Sequence, residues 1–308
     1  MTATGSLRTA VGALSRNPVL VLGALVYALV LLPQRAVQLA GIPVAPTLLQ
    51  LVTFFVTPFM IAGVLGMARS ALDGETSLAD LTTVGRDRYA DLLLATLVEF
   101  GIQLAFGVVL VVVALIAVVA GSAAGGPATL VAAAAVVVLV IAYLVVLFLI
   151  QFYPVVVVVN DAGPVDAVTG SIDFVRSNVA GTLGYTLITV LLGGLASLPV
   201  TGFITYRAVT SGGGPLGGGS GDNPGPIGGG MSPDGGAGGG AGGAPEVADL
   251  LGGGAGLGLS TPEVVALSVA SMVTTALFFA FRHTYATAFY RHHGRSVEER
   301  VLGDEDLE

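Results

Sequence analysis

The order of apolar and polar residues along the chain predicts six membrane-spanning helices. Its apolar runs are longer than a buried strand or an ordinary core helix needs, and polar, Pro-rich or Gly-rich segments separate them. We therefore expect an all-α, polytopic transmembrane helical bundle. The predicted spans are Pro18–Ala40, Thr47–Ala68, Leu92–Ala120, Ala128–Val159, Val179–Val200 and a sixth whose apolar part is Val264–Phe281.

Two of the prolines inside the predicted spans, Pro58 and Pro154, should disturb them. The fourth span has 32 residues, or about 48 Å of helix against a hydrocarbon core of about 30 Å. It must tilt, protrude or break, and Pro154 is the predicted break point because proline removes a helical hydrogen bond. The second span should be bent or reshaped at Pro58. The small residues of Gly121–Pro127 predict a tight hairpin between the third and fourth spans.

The sequence marks the outer end of the first span and the start of the last span. The strictly apolar part of the first span is short, so Gln34, Arg35 and Gln38 should finish its outer end by reaching to the lipid headgroups. Ser260-Thr-Pro-Glu263 is a capping sequence, which predicts that the sixth span begins there.

Three shorter segments have the apolar periodicity of helices that lie on a membrane surface. They precede the first span, join the second to the third and follow the fourth. Arg86, Arg88 and Tyr89 should anchor the second of them at the headgroups. The predicted apolar faces are Leu7, Val11 and Leu14; Leu78, Leu81 and Val84–Gly85; and Val165, Val168, Ile172 and Val175.

The arginines predict the orientation of the bundle. All 12 basic residues are arginines, and with six spans all but Arg35 and Arg207 fall on the side that holds both termini. Positive residues concentrate on the cytoplasmic side of membrane proteins. We therefore expect a multi-pass protein of the cell membrane with both termini in the cytoplasm.

Composition divides the chain into four parts. Residues 1–210 form a membrane domain with spans one to five, and residues 261–293 hold the sixth span with a cytoplasmic extension. Between them, residues 211–260 contain 23 glycines, which predicts a flexible extracellular loop because such a segment buries too little to offset its ordering entropy. Residues 294–308 form an acidic cytoplasmic tail.

The composition also excludes several classes of function. Cysteine is absent, which excludes disulfides, thiolate nucleophiles and thiol-ligated zinc. The net charge of −8 gives no electrostatic basis for nucleic-acid binding. An acidic balance without lysine is typical of a halophile, in which concentrated salt screens the repulsion between carboxylates.

No residue pattern predicts an enzyme, a metal site or a cofactor. His283, His292 and His293 lack a common ligand spacing and lie among aromatic residues, which favours an aromatic belt. The predicted spans hold no Ser–His or Ser–Lys pair for a serine protease, and an aspartyl site needs two carboxylates where only Glu99 is clear. We expect no catalytic activity and no bound cofactor.

Thr96, Glu99 and Gln103 share one face of the third span and form a candidate polar site inside the membrane. A carboxylate in hydrocarbon is costly, and by default it marks a functional site. Two interpretations stay open. Glu99 could bind an ion or a proton, or it could reach headgroup water or form a structural ion pair. The candidate partners for such a pair are Arg69, Arg176 and Arg282.

Several strings in the sequence are familiar as a set. They are Gly85-Arg-Asp-Arg-Tyr89 with Leu92-Leu93, Gln151-Phe-Tyr-Pro154 with Asn160-Asp161, Ser171–Asn178 with Gly184-Tyr185, and Phe281–Tyr290. With them the chain resembles an uncharacterised family of haloarchaeal multi-pass membrane proteins, which is distantly similar to the membrane domain of glycerophosphodiester phosphodiesterases. The resemblance implies a six-helix membrane domain without catalysis, since in the fused enzymes the chemistry belongs to a separate soluble domain. Asn160 stands where an acidic residue is expected beside Asp161.

Taken together, these features favour an integral membrane protein that acts as a non-enzymatic scaffold or accessory protein. Weakly polar spans, three amphipathic segments and the lack of an evident pathway favour this function. The alternative is a small-solute or ion transporter or channel that uses Glu99, with Pro58 and Pro154 marking discontinuous helices. The expected partners are the lipid bilayer and other membrane proteins.

Overall fold

A computed structural model describes residues 3–39, 45–124, 126–210 and 260–305. All regular structure in these ranges is helical, without a strand. The helices are α1 (Ala3–Arg16), α2 (Val19–Leu39), α3 (Ala45–Asp73), α4 (Leu78–Asp87), α5 (Tyr89–Ala124), α6 (Gly126–Ile150), α7 (Tyr153–Val159), α8 (Pro164–Ser177), α9 (Val179–Thr210) and α10 (Thr261–Glu305).

Six spans are confirmed within the described ranges. α2, α3, α5, α9, α10 and the α6–α7 pair each provide a segment long and apolar enough to cross a membrane. These segments are Val19–Gln38, Leu48–Asp73, Tyr89–Val118, Leu130–Val159, Val179–Phe203 and Thr261–Gly294. The described part of the chain is therefore all-α, and its six long apolar helices fit a membrane protein.

The connections between spans agree with the predictions where the structure describes them. The Ser260 backbone N–H and hydroxyl both donate to the Glu263 carboxylate at 2.8 Å, so α10 begins at the predicted cap. The hairpin is tighter than predicted, since α5 continues to Ala124 and α6 begins at Gly126. Residues 211–259 of the Gly-rich segment lie outside the described residues.

One end of the bundle is packed into a continuous core, which we call the basal layer. It comprises α1, α4, α7 and α8 together with residues 20–28 of α2, 60–73 of α3 and 276–293 of α10, and the first turns of α5 and α9 enter it. Every residue from Met60 to Ala68 is buried. This layer holds the short amphipathic helices, which are therefore parts of the core.

Outside the basal layer the spans expose apolar side chains. α6 packs against α5 and against α8. Leu115, Val118, Leu130 and Val131 are each more than 60% exposed. Such a surface would associate in water, whereas in a membrane hydrocarbon chains cover it.

The fourth span is broken, as predicted, but the break precedes its proline. α6 ends at Ile150 and α7 begins at Tyr153, so Pro154 occupies the first turn of α7. Proline fits there because an N–H in the first turn has no helical partner to lose. The Phe152 carbonyl accepts the N–H of Val156 at 3.0 Å and starts the new helix.

Pro58 does not interrupt its helix, and α3 continues through it. The Thr57 hydroxyl donates to the carbonyl oxygen of Thr53 at 2.7 Å, and the Tyr89 hydroxyl donates to that of Phe55 at 3.1 Å. Both acceptors are neighbours of the Phe54 carbonyl, which is the one that loses its helical donor at Pro58.

α1 is the predicted helix before the first span, but its buried face is not the predicted one. Val11 is 51% exposed, while Leu7 and Leu14 are half-buried. The fully buried residues are Ser6, Ala10 and Ala13. Small side chains let two helices approach closely, and α1 packs against α10 through this face.

α8 buries only part of its predicted apolar face, in which Val175 is buried and Val168 packs against the core. Val165 is 67% exposed, although it belongs to the predicted apolar face. The buried residues are Ala167, Ser171, Phe174 and Val175. A polar residue lies on this face because Ser171 hydrogen bonds to the break between α6 and α7, as described below.

α4 lies against α3, which explains why glycines occur at their contact. A Cβ atom at Gly63 would come within 2.4 Å of the Leu81 carbonyl oxygen. Leu81 and Gly85 are buried, as the predicted stripe requires, while Leu78 is 44% exposed. The predicted interfacial helix is therefore packed into the basal layer.

Gln34 was predicted to reach to the lipid headgroups, but its side chain is buried in the structure. It is 9% exposed, its amide donates to Gln50, and its carbonyl oxygen accepts the Thr53 hydroxyl at 2.7 Å. A polar side chain in a span is stabilised by partners on a neighbouring helix, and here the partners are on α3.

Candidate functional site

The predicted polar stripe of α5 faces the start of α7. Glu99 is only 2% exposed. Its carboxylate accepts the Tyr153 hydroxyl at 2.7 Å and the Gln103 amide at 3.2 Å. The Thr96 hydroxyl lies 3.3 Å from the Tyr153 hydroxyl. The structure therefore brings all three predicted residues together and adds Tyr153, and we call these four residues the Glu99 cluster.

Reasoning from the sequence did not predict the hydrogen bond between Tyr153 and Glu99. Its signal was present in Gln151-Phe-Tyr-Pro154, because a proline-marked break in a span exposes polar backbone groups that need partners nearby. What the sequence could not supply was the register that sets residue 153 opposite residue 99.

Of the three candidate arginines, Arg282 is the one that approaches Glu99. The two side chains line the same cavity, and the guanidinium attracts the carboxylate. Arg69 is exposed, and its guanidinium donates to the Val158 carbonyl oxygen at 3.1 Å. Arg176 is exposed at the end of α8. The structural interpretation of Glu99 therefore has one candidate partner, on α10.

The cavity beside the Glu99 cluster is small and is lined by both apolar and polar residues. Its volume is about 20 Å³, enough for one water molecule. Apolar residues from α3 and the α6–α7 break form part of its wall. Its polar wall consists of Glu99, Gln151, Tyr153, Tyr185, Arg282 and His283.

Ser171 satisfies the backbone where the fourth span breaks. The Phe152 N–H donates to the Ser171 hydroxyl oxygen at 3.1 Å, and that hydroxyl donates to the Leu149 carbonyl oxygen at 2.9 Å. One side chain of α8 thereby replaces two helical partners. Gln151 joins the same region to α9, because its carbonyl oxygen accepts the Thr186 hydroxyl at 3.1 Å.

We predict that Ser171→Ala lowers the free energy of unfolding by about 2 kcal/mol, because two buried backbone groups lose their partner. The measurement is thermal unfolding of the purified protein in detergent. Ser177→Ala is the matched control, since Ser177 is exposed on the same helix and its hydroxyl bonds only locally, to the Asp173 and Phe174 carbonyls and to the amide of the next residue, Asn178. Equal melting temperatures for the two variants would show that Ser171 does not support the break.

An aromatic core surrounds the break on its basal side. The Phe152 ring lies 5.1 Å from that of Phe174, 5.0 Å from that of Tyr185 and 5.6 Å from that of Phe289. These rings come from α8, α9 and α10, so the break is where four segments of the chain meet. Aromatic contacts of this kind add to the stability from burial alone.

Polar contacts at the rim of the basal layer link the turns before α5 and after α7, and link α3 and α10. Arg88 pairs with Asp161, and Arg291 pairs with Asp73 at 2.7 Å. The Asn160 amide donates to the Tyr290 hydroxyl at 2.7 Å. Asn160 therefore serves as a hydrogen-bond donor where an acidic residue was expected from the resemblance.

The described residues contain no group of three or more His, Asp or Glu side chains placed to hold a metal ion. His283 packs edge-on against Phe279, whereas the His293 ring lies over Phe289, so these two histidines have different surroundings. What the site can do is hold a proton or a small polar ligand, and bind α5, α7 and α10 to one another.

The strings that carry the resemblance converge in the basal layer. They supply the aromatic core, the Ser171 contacts and the rim contacts described above. No curated protein and no solved structure shows significant similarity to the chain. The sequence profile of one family, described as a domain of unknown function (DUF7847), matches residues 1–293. The match covers nearly the whole described structure, and the chain belongs to the DUF7847 family of domains of unknown function.

Proposed function

We propose that this protein is a non-enzymatic membrane scaffold or accessory protein. The observation that carries the proposal is the basal layer, in which short helices from four parts of the chain pack into one core with the ends of the spans. A rigid layer of this kind offers a fixed arrangement of polar groups to a partner. The exposed charges of α8, among them Asp166, Asp173 and Arg176, are available for such a contact.

The Glu99 cluster supports the same proposal. Both carboxylate oxygens of Glu99 accept hydrogen bonds from the protein, and Arg282 supplies a compensating charge. The adjoining cavity has room for about one water molecule, which is too little for an organic solute. The resemblance to membrane domains whose chemistry resides in a separate soluble domain also supports a role without catalysis.

We predict that the protein purified from its native membrane in mild detergent retains a second protein in fixed stoichiometry. Reversing two exposed charges on α8, Asp166→Arg with Asp173→Arg, should release this partner because charge complementarity at an interface is lost. The mass of the detergent-solubilised particle measures the loss. The melting temperature of the variant is the control and should not change. A wild-type particle that contains this chain alone would contradict the proposal.

We further propose that both termini lie in the cytoplasm of the cell, on the basis of the arginine distribution. The absence of cysteine makes this testable. Thr76→Cys, between α3 and α4, should resist an impermeant thiol reagent applied to intact cells, whereas Ser220→Cys in the Gly-rich segment should react. Labelling at residue 76 and not at residue 220 would reverse the orientation.

One observation favours a second candidate function, translocation of protons or small ions. Glu99 is buried beside a cavity that His283 also lines, and a carboxylate and an imidazole are groups that exchange protons. If Glu99 serves this function, Glu99→Gln should abolish flux in reconstituted vesicles without changing stability. The neighbouring Arg282 disfavours this candidate, since a fixed positive charge opposes the passage of cations.

A further inference from the structure

His283, in the basal layer, has a buried side-chain atom without a hydrogen-bond partner among the described residues. The residue is 5% exposed, and the atom is Nε2 of its imidazole ring. A buried polar atom without a partner is costly, typically by more than one ordinary hydrogen bond contributes. His283 also lines the cavity beside the Glu99 cluster, where such a partner can be accommodated.

The chemistry around the cavity restricts what this partner can be. Arg282 on one side disfavours a cation, and the Glu99 carboxylate disfavours an anion. The volume of about 20 Å³ fits one water molecule. Water both donates and accepts hydrogen bonds, so it can serve Nε2 in either tautomer of the imidazole.

We propose that this cavity binds a single water molecule that hydrogen bonds to His283 Nε2 and to the polar wall formed by Glu99, Tyr185 and Arg282. Buried waters of this kind usually make about three hydrogen bonds, and this wall supplies that number of polar groups. The water connects α10 to α5 and α9 at the level of the helix break. It is part of the fold, and the inference stands whether or not the chain binds a protein partner.

A double-mutant cycle at Ala286 and His283 tests the proposal. Ala286 is 6% exposed and lines the cavity, so Ala286→Val adds methyl groups that displace the water. In the wild-type background the loss of this water leaves Nε2 unsatisfied, and the melting temperature should fall by about 2–4 °C. In the His283→Leu background, which has no Nε2 atom to be left without a partner, Ala286→Val should lower the melting temperature less or not at all.

Two results would overturn the proposal. If Ala286→Val changes the melting temperature equally in both backgrounds, in either direction, no water couples the cavity to His283. Ala288→Val is the control, because Ala288 is buried in the same helix without lining the cavity and should act independently of His283. If the wild-type melting temperature instead depends on sodium or chloride at constant ionic strength, and His283→Leu removes that dependence, the ligand is an ion.

Discussion

Gly63→Ala is expected to lower the free energy of unfolding by about 3 kcal/mol, the upper range for overpacking a core. The added Cβ atom would lie 2.4 Å from the Leu81 carbonyl oxygen and 2.8 Å from a Leu81 methyl group. A backbone atom cannot move aside as a flexible side chain can, so α4 must shift away from α3. Chemical unfolding in detergent, followed by circular dichroism, measures the change.

Gly101→Ala provides the matched control on another span. A Cβ atom at Gly101 meets nothing within 4 Å. Because alanine favours helix over glycine, this variant should be as stable as the wild type or slightly more stable. Equal free energies of unfolding for the two variants would show that α4 does not pack against α3 and is not part of the basal layer.

Glu99→Leu is expected to destabilise the protein by about 3 kcal/mol, because two donors that face this buried carboxylate lose their acceptor, at about 1–3 kcal/mol each. It deprives the Tyr153 hydroxyl and the Gln103 amide of their acceptor and leaves Arg282 without the carboxylate it faces. Glu99→Gln keeps an acceptor for Tyr153 and should lose about 1 kcal/mol.

The control for this series is Glu75→Leu. Glu75 is an exposed glutamate between α3 and α4, so its replacement should change stability by less than about 0.5 kcal/mol. A Glu99→Leu variant as stable as Glu75→Leu would contradict a structural role for the Glu99 cluster.

The sequence was sufficient to predict the spans because the cost of exposing polar backbone to hydrocarbon is large and acts on every long apolar run. It was also sufficient to place Thr96, Glu99 and Gln103 on one face, because residues three and four positions apart lie on the same face of an α-helix. The break in the fourth span was predicted from its length and from Pro154. The break itself precedes the proline, because α6 ends at Ile150 and Pro154 lies in the first turn of α7.

The faces of the short helices could not be predicted in the same way. A search for apolar periodicity selects Val11 and Val165, yet both are exposed. What α1 and α8 bury depends on close backbone approach through Ala10 and on the hydrogen bonds of Ser171. Such contacts are set by the partner helix, and hydrophobicity within the segment does not report them.

The partners of the polar residues depend on register between helices that are far apart in sequence. Tyr153 is 54 residues from Glu99 along the chain, and three arginines were equally acceptable to reasoning from charge alone. Gln34 shows the same dependence, because it was expected at the headgroups and instead hydrogen bonds to residues of α3.

The central claim is that the Glu99 cluster joins helices and does not conduct ions. Proton flux into vesicles reconstituted with the purified wild-type protein or with Glu99→Gln, followed by an internal pH-sensitive dye, tests it most directly. We expect both proteins to give the flux of protein-free vesicles. Flux through the wild type that Glu99→Gln abolishes, with the melting temperature unchanged, would contradict the account and establish Glu99 as a transport residue.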